Sequence, residues 1–204
     1  MPQNTVSFQK LYKTAKEQQG FFTTRQAVAA GYSEKNHAYH VTRKSWVREE
    51  RGIYRLAQFP EGEDADLILW ALWARDRKGK PQGTYSHQTA LRIHELTDQN
   101  PSKLHLTVPP TFRRSAPIPK VLVLHRGSFR TGEVEQRKGF AVTNVRRTLE
   151  DLSMEGSVVE TVIRQGVEEG IRRGVLSLRE VVESPILRKM ARLARKVAGG
   201  RARL

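Results

Sequence analysis

The chain has 204 residues, enough for one large or two small domains with a buried core, and its 36 Lys and Arg against 21 Asp and Glu leave a formal net charge of +15. It contains no cysteine, which excludes disulfides, thiolate metal sites and cysteine nucleophiles together. The longest apolar run, residues 67–74, is far too short to span a bilayer, and the polar first residues carry no signal-peptide pattern, so the expectation is a soluble cytoplasmic protein with no membrane partner. The charge is also uneven. Residues 1–60 hold 10 basic and 4 acidic side chains, 61–185 hold 19 and 17, and 186–204 hold 7 and 0. Basic flanks around a near-neutral middle suit a protein that presents one surface to a polyanion.

The first helix is expected over residues 5–19, with Phe8, Leu11, Tyr12 and Ala15 on one face and Lys10, Lys13 and Lys16 on the other. Residues 21–56 then read as helix, tight turn, helix and two short strands, the order of a winged helix-turn-helix. Thr23 and Gln26 have capping-box spacing, and Gly31 supplies the left-handed residue that ends the helix. Ser33 can cap a second helix over 34–44, in which Ala38 and Val41 are expected to face inward and Trp46 to plug the core. The opposite face carries Lys35, Asn36, His40 and Arg43, long or forked hydrogen-bonding groups suited to base edges in a major groove. After Trp46 the period changes to alternation, and Gly52 permits a hairpin turn, so this segment reads as a wing. Arg25, Lys44, Arg48 and Arg51 are the candidates for phosphate and wing contacts. A protein-docking adaptor with basic termini has the same outline and is an alternative.

Residues 59–63 combine Pro, Gly and Glu and mark a boundary. The helix after Asp64 is apolar over most of its circumference. A turn at 78–81 leads to a helix capped by Ser86, followed by three extended stretches at 104–108, 121–125 and 140–142, of which the continuous apolar run at 121–125 suits a central strand. The loop 111–120 is basic and proline-rich; residues 126–139 suit a long hairpin or a mobile loop. A helix begins at Thr143 or Asn144 with Val145, Leu149 and Leu152 inward. Gly166, Gly170 and Gly174 recur every four residues and read as turns between short helices, and Ser177 is a further cap. Pro185 opens a basic amphipathic helix with Ile186, Met190, Leu193 and Val197 on its apolar stripe. The expected fold is α+β: a winged helix-turn-helix over 1–60, a mixed α/β domain with a small sheet and C-terminal helices over 64–185, and a basic helix and tail over 186–204.

Catalytic constellations are sparse, and no catalytic residue, metal ligand or cofactor is assigned. His105 and His125 fall in strands that could be neighbours, but without Cys or an adjacent carboxylate the hydrogen-bonded reading of that pair outweighs a zinc site. Ser86-His87 reads as a cap and its neighbour. A metal-dependent nuclease, the other alternative, would draw on Glu133, Glu135, Glu150 and Asp151, yet residues 150 and 151 diverge by about 100° on a helix.

The stretches GTYSHQTALRIHEL (83–96), LHLTVP (104–109), VLVLHR (121–126) and FAVTNVRRTLEDL (140–152) resemble, in order and spacing, the antitoxins of AbiE-type abortive-infection systems, the type IV toxin–antitoxin antitoxins. RGIYRL (51–56) is similar to the end of the same family's N-terminal winged helix. The resemblance spans residues 21–152. It implies a DNA-binding N-terminal domain that represses its own operon at inverted repeats in double-stranded DNA. It also implies a C-terminal domain that counters a nucleotidyltransferase-type toxin, in the type IV scheme without a stable complex. The loop 126–138 and the basic end from residue 186 match no motif of the family.

Overall fold

The protein is represented by a computed structural model that describes residues 2–60, 62–156 and 158–192. They form two compact units, residues 1–83 with 137–140, and residues 84–136 with the chain from 141 onward.

In the first unit α1 (Pro2–Lys16) precedes β1 (Phe21–Thr23), α2 (Thr24–Ala29), a 3₁₀ turn (Glu34–Asn36), α3 (His37–Thr42), β2 (Trp46–Glu50), β3 (Ile53–Leu56) and α4 (Ala65–Trp73). The strands make an antiparallel sheet in the order β1-β3-β2. Leu11 and Ala15, one helical turn apart, are fully buried with Phe22, Ala27, Trp46 and Leu56, and each large side chain there contributes about 2–3 kcal/mol on leaving water. Phe8 and Tyr12 share the α1 stripe but stay 38% exposed, with Tyr12 resting on Phe59. Trp46 fills the expected central place, edge-on to Phe22 at 4.8 Å and beside Tyr32 at 5.1 Å. The Thr23–Gln26 capping box forms as read, and Gly31 (φ 103°) turns the chain after α2.

The expected boundary at residues 60–64 lies inside this unit. Arg55 fastens the turn after β3 by donating to the Phe59 carbonyl at 2.5 Å and to Glu49 at 2.7 Å. α4 packs on β1 and β3, and Arg75 beyond it donates to Gln18 at 3.1 Å. Gln18 is itself bonded to Gln26 and the Phe21 carbonyl. A proline-glycine stretch breaks helices and strands. It does not by itself separate cores, and here α4 brings the apolar surface that the small sheet needs.

The second unit is a five-stranded mixed sheet in the order β6-β5-β4-β8-β7, from β4 (Thr84–Tyr85), β5 (Leu104–Val108), β6 (Leu122–Arg126), β7 (Val134–Gln136) and β8 (Ala141–Thr143). The run expected to be central is the edge strand β6, whose side chains from Val123 to His125 are only half-buried, while β5 is buried throughout. The two-residue β4 occupies the middle, too short to give a sequence period, and β7 and β8 form the hairpin within 126–143.

α5 (His87–Ile93), α6 (Val145–Glu155), α7 (Glu160–Arg172) and α8 (Leu178–Glu183) bury Leu91, Leu149, Leu152, Ile163, Val167 and Leu176 together. Asn144 caps α6 by accepting from the Arg147 amide at 2.8 Å, and Ser177 caps α8 in a capping box with Glu180. Ser86 stands at the N-cap of α5 without capping it, because its hydroxyl is engaged by His87 and Thr107. Of the three spaced glycines only Gly174 (φ 69°) is a turn. Gly166 and Gly170 lie inside the unbroken α7, where an added Cβ would meet Leu149 at 2.9 Å and Leu176 at 3.1 Å, so they are places of close helix packing. Residues 185–192 are helical, with Met190 of the expected stripe buried and Leu187 buried in place of the half-buried Ile186; Leu193, Val197 and the remainder of the expected basic end lie outside the described residues. No helix among the described residues is long and apolar enough to cross a membrane.

Candidate nucleic-acid interface

The second helix of the helix-turn-helix enters through one 3₁₀ turn at Glu34–Asn36, with Ser33 at its start making no side-chain cap. A 3₁₀ turn advances with fewer residues than an α turn, so it shifts the phase of the helical residues after it. The inward residue is therefore His37, 3% exposed and set against Trp46 at 5.1 Å and Tyr54 at 5.7 Å, whereas Ala38 points to solvent and Val41 is half-buried. Burial lowers the His37 pKa, partly opposed by Glu34; burial and then His37 lower that of His40. Both rings are held neutral at pH 7.

Of the four residues expected to read bases, Lys35, Asn36 and Arg43 are exposed. His40 is half-buried, stacked on Trp46 at 4.6 Å and edge-on to Tyr32 at 5.1 Å, so its ring also serves the packing. The sequence reading missed Tyr39. It is 56% exposed, its hydroxyl accepts from Arg43 Nε at 3.0 Å, and the Arg43 guanidinium lies 5.4 Å from its ring centroid. The signal was present as the i, i+4 spacing of an aromatic and an arginine. Tyr39, His40 and Arg43 border an open cavity of about 730 Å³, lined also by Tyr32, Trp46, Lys44 and Phe8.

The remaining cations surround α3 in sequence. Lys44 ends the helix at φ 55°, its amide donating to the Val41 carbonyl. Arg48 and Arg51 are exposed on β2 and at the β2–β3 turn, where Gly52 (φ 76°) allows the reversal and the register shifts between Arg48 and Glu50. Glu49 is consumed by Arg55, and Glu50 accepts from the Arg51 amide. Arg25 is exposed on α2, its stem beside Gly79. Among the described residues none of Arg25, Lys35, Arg43, Lys44, Arg48 or Arg51 makes an ion pair. Such cations keep their charge for an anion from outside the chain.

The acidic residues considered for a nuclease are arranged otherwise. Glu133 and Asp151 share the Arg147 guanidinium at 2.5 and 2.7 Å, and Glu150 bonds Arg146 at 3.2 Å. An arginine stands where converging carboxylates would have to hold a divalent ion.

The crystal structure of the RV2827C protein from Mycobacterium tuberculosis superposes with a TM-score of 0.55 at 11% identity, covering 91% of this chain and 77% of that one, a likeness of fold alone. No curated protein matches the sequence. A family model described as "Transcriptional regulator, AbiEi antitoxin" matches residues 9–57, from α1 through the wing, and leaves the motifs at 83–152 outside the match. Over residues 9–57, then, the chain is similar to the family described as AbiEi-antitoxin transcriptional regulators.

Proposed function

We propose that the protein is a sequence-specific DNA-binding autorepressor and the antitoxin of a two-gene, type IV toxin–antitoxin system. The observation that carries this reading is the set of exposed cations without ion pairs on α3, at its end and on the wing, in a unit matched to antitoxin regulators. Lys35, Asn36 and Arg43 reach base edges in the major groove, with His40 at the rim beside Trp46. Lys44, Arg48, Arg51 and Arg25 hold phosphates and the flank of the groove. The operator is an inverted repeat, since a winged unit reads one half-site and two copies read a palindrome. The functional partner is a nucleotidyltransferase-type toxin encoded beside the gene, neutralised without a stable complex.

The test is binding of the full chain to the DNA upstream of its own gene, against a scrambled duplex and across a salt series. The reading expects salt-sensitive binding to an inverted repeat that Arg43→Ala weakens at one base position. Equal binding of both duplexes would overturn it. Co-expression with the neighbouring gene product tests the antitoxin half: growth arrest relieved by this chain is the expected result. Incubation with plasmid and magnesium or manganese separates a repressor, which shifts the DNA, from a nuclease, which cuts it.

A further inference from the structure

The second unit gathers three of the six histidines at one place, with one carboxylate. His87 opens α5, His105 lies on β5, His125 on the adjacent β6, and Glu155 ends α6. The His87 and His125 rings are stacked at 3.6 Å and 13°, and His105 Nδ1 lies 3.0 Å from His125 Nε2. His125 Nδ1 is 3.7 Å from Glu155 Oε1. One ligand atom each from His87, His125 and Glu155 falls within 4.8 Å of the others.

The contacts around the rings are compatible with a tautomer of each that leaves a nitrogen open to a ligand. His87 Nδ1 is 2.9 Å from Ser86 Oγ, which already accepts from Thr107 Oγ1 at 2.8 Å. With His87 Nδ1 donating to that oxygen, the His87 lone pair is on Nε2. In the tautomer in which His125 Nε2 donates to His105 Nδ1, the His125 lone pair is on Nδ1, the atom that faces Glu155. Histidines that ligate metals commonly donate their second nitrogen to a fixed acceptor, and Ser86 Oγ and His105 Nδ1 stand where they can accept. His87 moreover holds φ 52°, a left-handed conformation that is strained for an L-residue and is kept only where surrounding structure enforces it.

We infer that His87, His125 and Glu155 form a binding site for a divalent transition ion of the zinc class, with Ser86 and His105 as the groups that orient the two imidazoles. Two imidazole nitrogens and one carboxylate oxygen are a zinc ligand set, harder than a thiolate site and softer than the all-oxygen sites of magnesium and calcium. Tetrahedral ligands at about 2.0–2.1 Å from zinc stand roughly 3.4 Å apart, so the group closes on the ion by rotation of the two rings out of their stack, which turns their in-plane lone pairs toward one point, and by a swing of the exposed Glu155. Three protein ligands leave a fourth position for water or another ligand. The site is independent of the DNA-binding reading, since every residue in it belongs to the second unit.

The experiment uses the full chain without an affinity tag, stripped of metal with a chelator and titrated with zinc in a calorimeter and with cobalt by visible absorption. The expected result is one saturable equivalent, a cobalt spectrum of low coordination number and a zinc-dependent rise in Tm. Glu155→Gln, at an exposed position that does not threaten folding, lowers the affinity at least tenfold; His125→Gln abolishes the cobalt bands; Glu63→Gln, exposed in the first unit, leaves the zinc affinity unchanged. Absence of a saturable equivalent, or an affinity that Glu155→Gln leaves within twofold of the parent, overturns the assignment.

Discussion

Two helices of this protein carry their cations in opposite ways. On α6, Arg146 is held by Glu150 and Glu183, and Arg147 by Asp151 and Glu133. On α3 and its flanks, Lys35, Arg43 and Lys44 make no ion pair among the described residues. The sequence shows basic residues in both places, and net charge does not distinguish them. What does is whether the fold supplies the anion. A cation neutralised inside its own unit contributes to cohesion, and one left without a carboxylate is available to a phosphate.

The largest effect tests the frame that holds α3 in place. Trp46→Ala removes the ring on which Phe22, Tyr32, His37 and His40 converge, and should cost about 3–5 kcal/mol of stability in the first unit, read by thermal or urea denaturation. Operator binding should be lost with the fold. A loss below about 1 kcal/mol would mean that this aromatic cluster does not hold the unit together.

Arg147→Ala then breaks the comparison from the α6 side. It leaves the 6%-exposed Asp151 side chain without its guanidinium, and burial already raises that carboxyl's pKa. The expected cost is roughly 2–4 kcal/mol, somewhat below that of a fully buried pair because the arginine keeps contact with water, with operator affinity per folded molecule unchanged. Arg43→Ala is its mirror. It should leave stability within about 0.5 kcal/mol and weaken operator binding by about 1–3 kcal/mol at one base position. If the two variants exchanged these phenotypes, the criterion of the missing anion would fail.

The outline of both units was legible in the sequence wherever local chemistry decides the outcome. The Thr23–Gln26 box, the Gly31 and Gly52 turns, the Asn144 and Ser177 caps and the α6 stripe each depend on a few neighbouring residues. What escaped depends on partners far along the chain. The assignment of α4 to the first unit rests on β1, β3 and Gln18, and the place of β6 at an edge rests on a sheet order that no strand records locally. The phase of α3 was missed for a subtler reason: one 3₁₀ turn exchanged Ala38 for His37 as the inward residue. At the candidate interface the exposed positions of Lys35, Asn36 and Arg43 were readable from amphipathicity, while the stacking of His40 on Trp46 and the pairing of Tyr39 with Arg43 required the fold.

A pH titration sharpens the contrast between the buried His37 and the exposed cations around it. The folded pKa of His37 lies below the ordinary histidine value of 6.5, so in acid the unfolded chain binds the proton first. Its contribution to stability is complete above that value and is lost as the pH falls through 6.5 toward the lowered folded value. His40 carries the same sign. Thermal melts at about pH 7.5 and about pH 5, which bracket the histidine range, should show this loss, and His37→Gln should reduce it. An unchanged pH dependence in the variant would remove His37 as a source.

The smallest effect separates charge from backbone at Lys44, which sits at φ 55° where an L side chain is strained and glycine is not. Lys44→Gly should raise stability by a few tenths to about 1 kcal/mol, since relief of the left-handed strain exceeds the added freedom of the unfolded chain. The same substitution removes one phosphate contact. Binding should weaken on specific and scrambled duplexes alike, and the slope of log K against log salt should become shallower by about 1. A variant both more stable and poorer at binding would show that a lysine is kept at this strained position for its charge. If instead the salt slope stayed that of the parent, Lys44 would have to be withdrawn from the phosphate contacts and the left-handed turn explained without DNA.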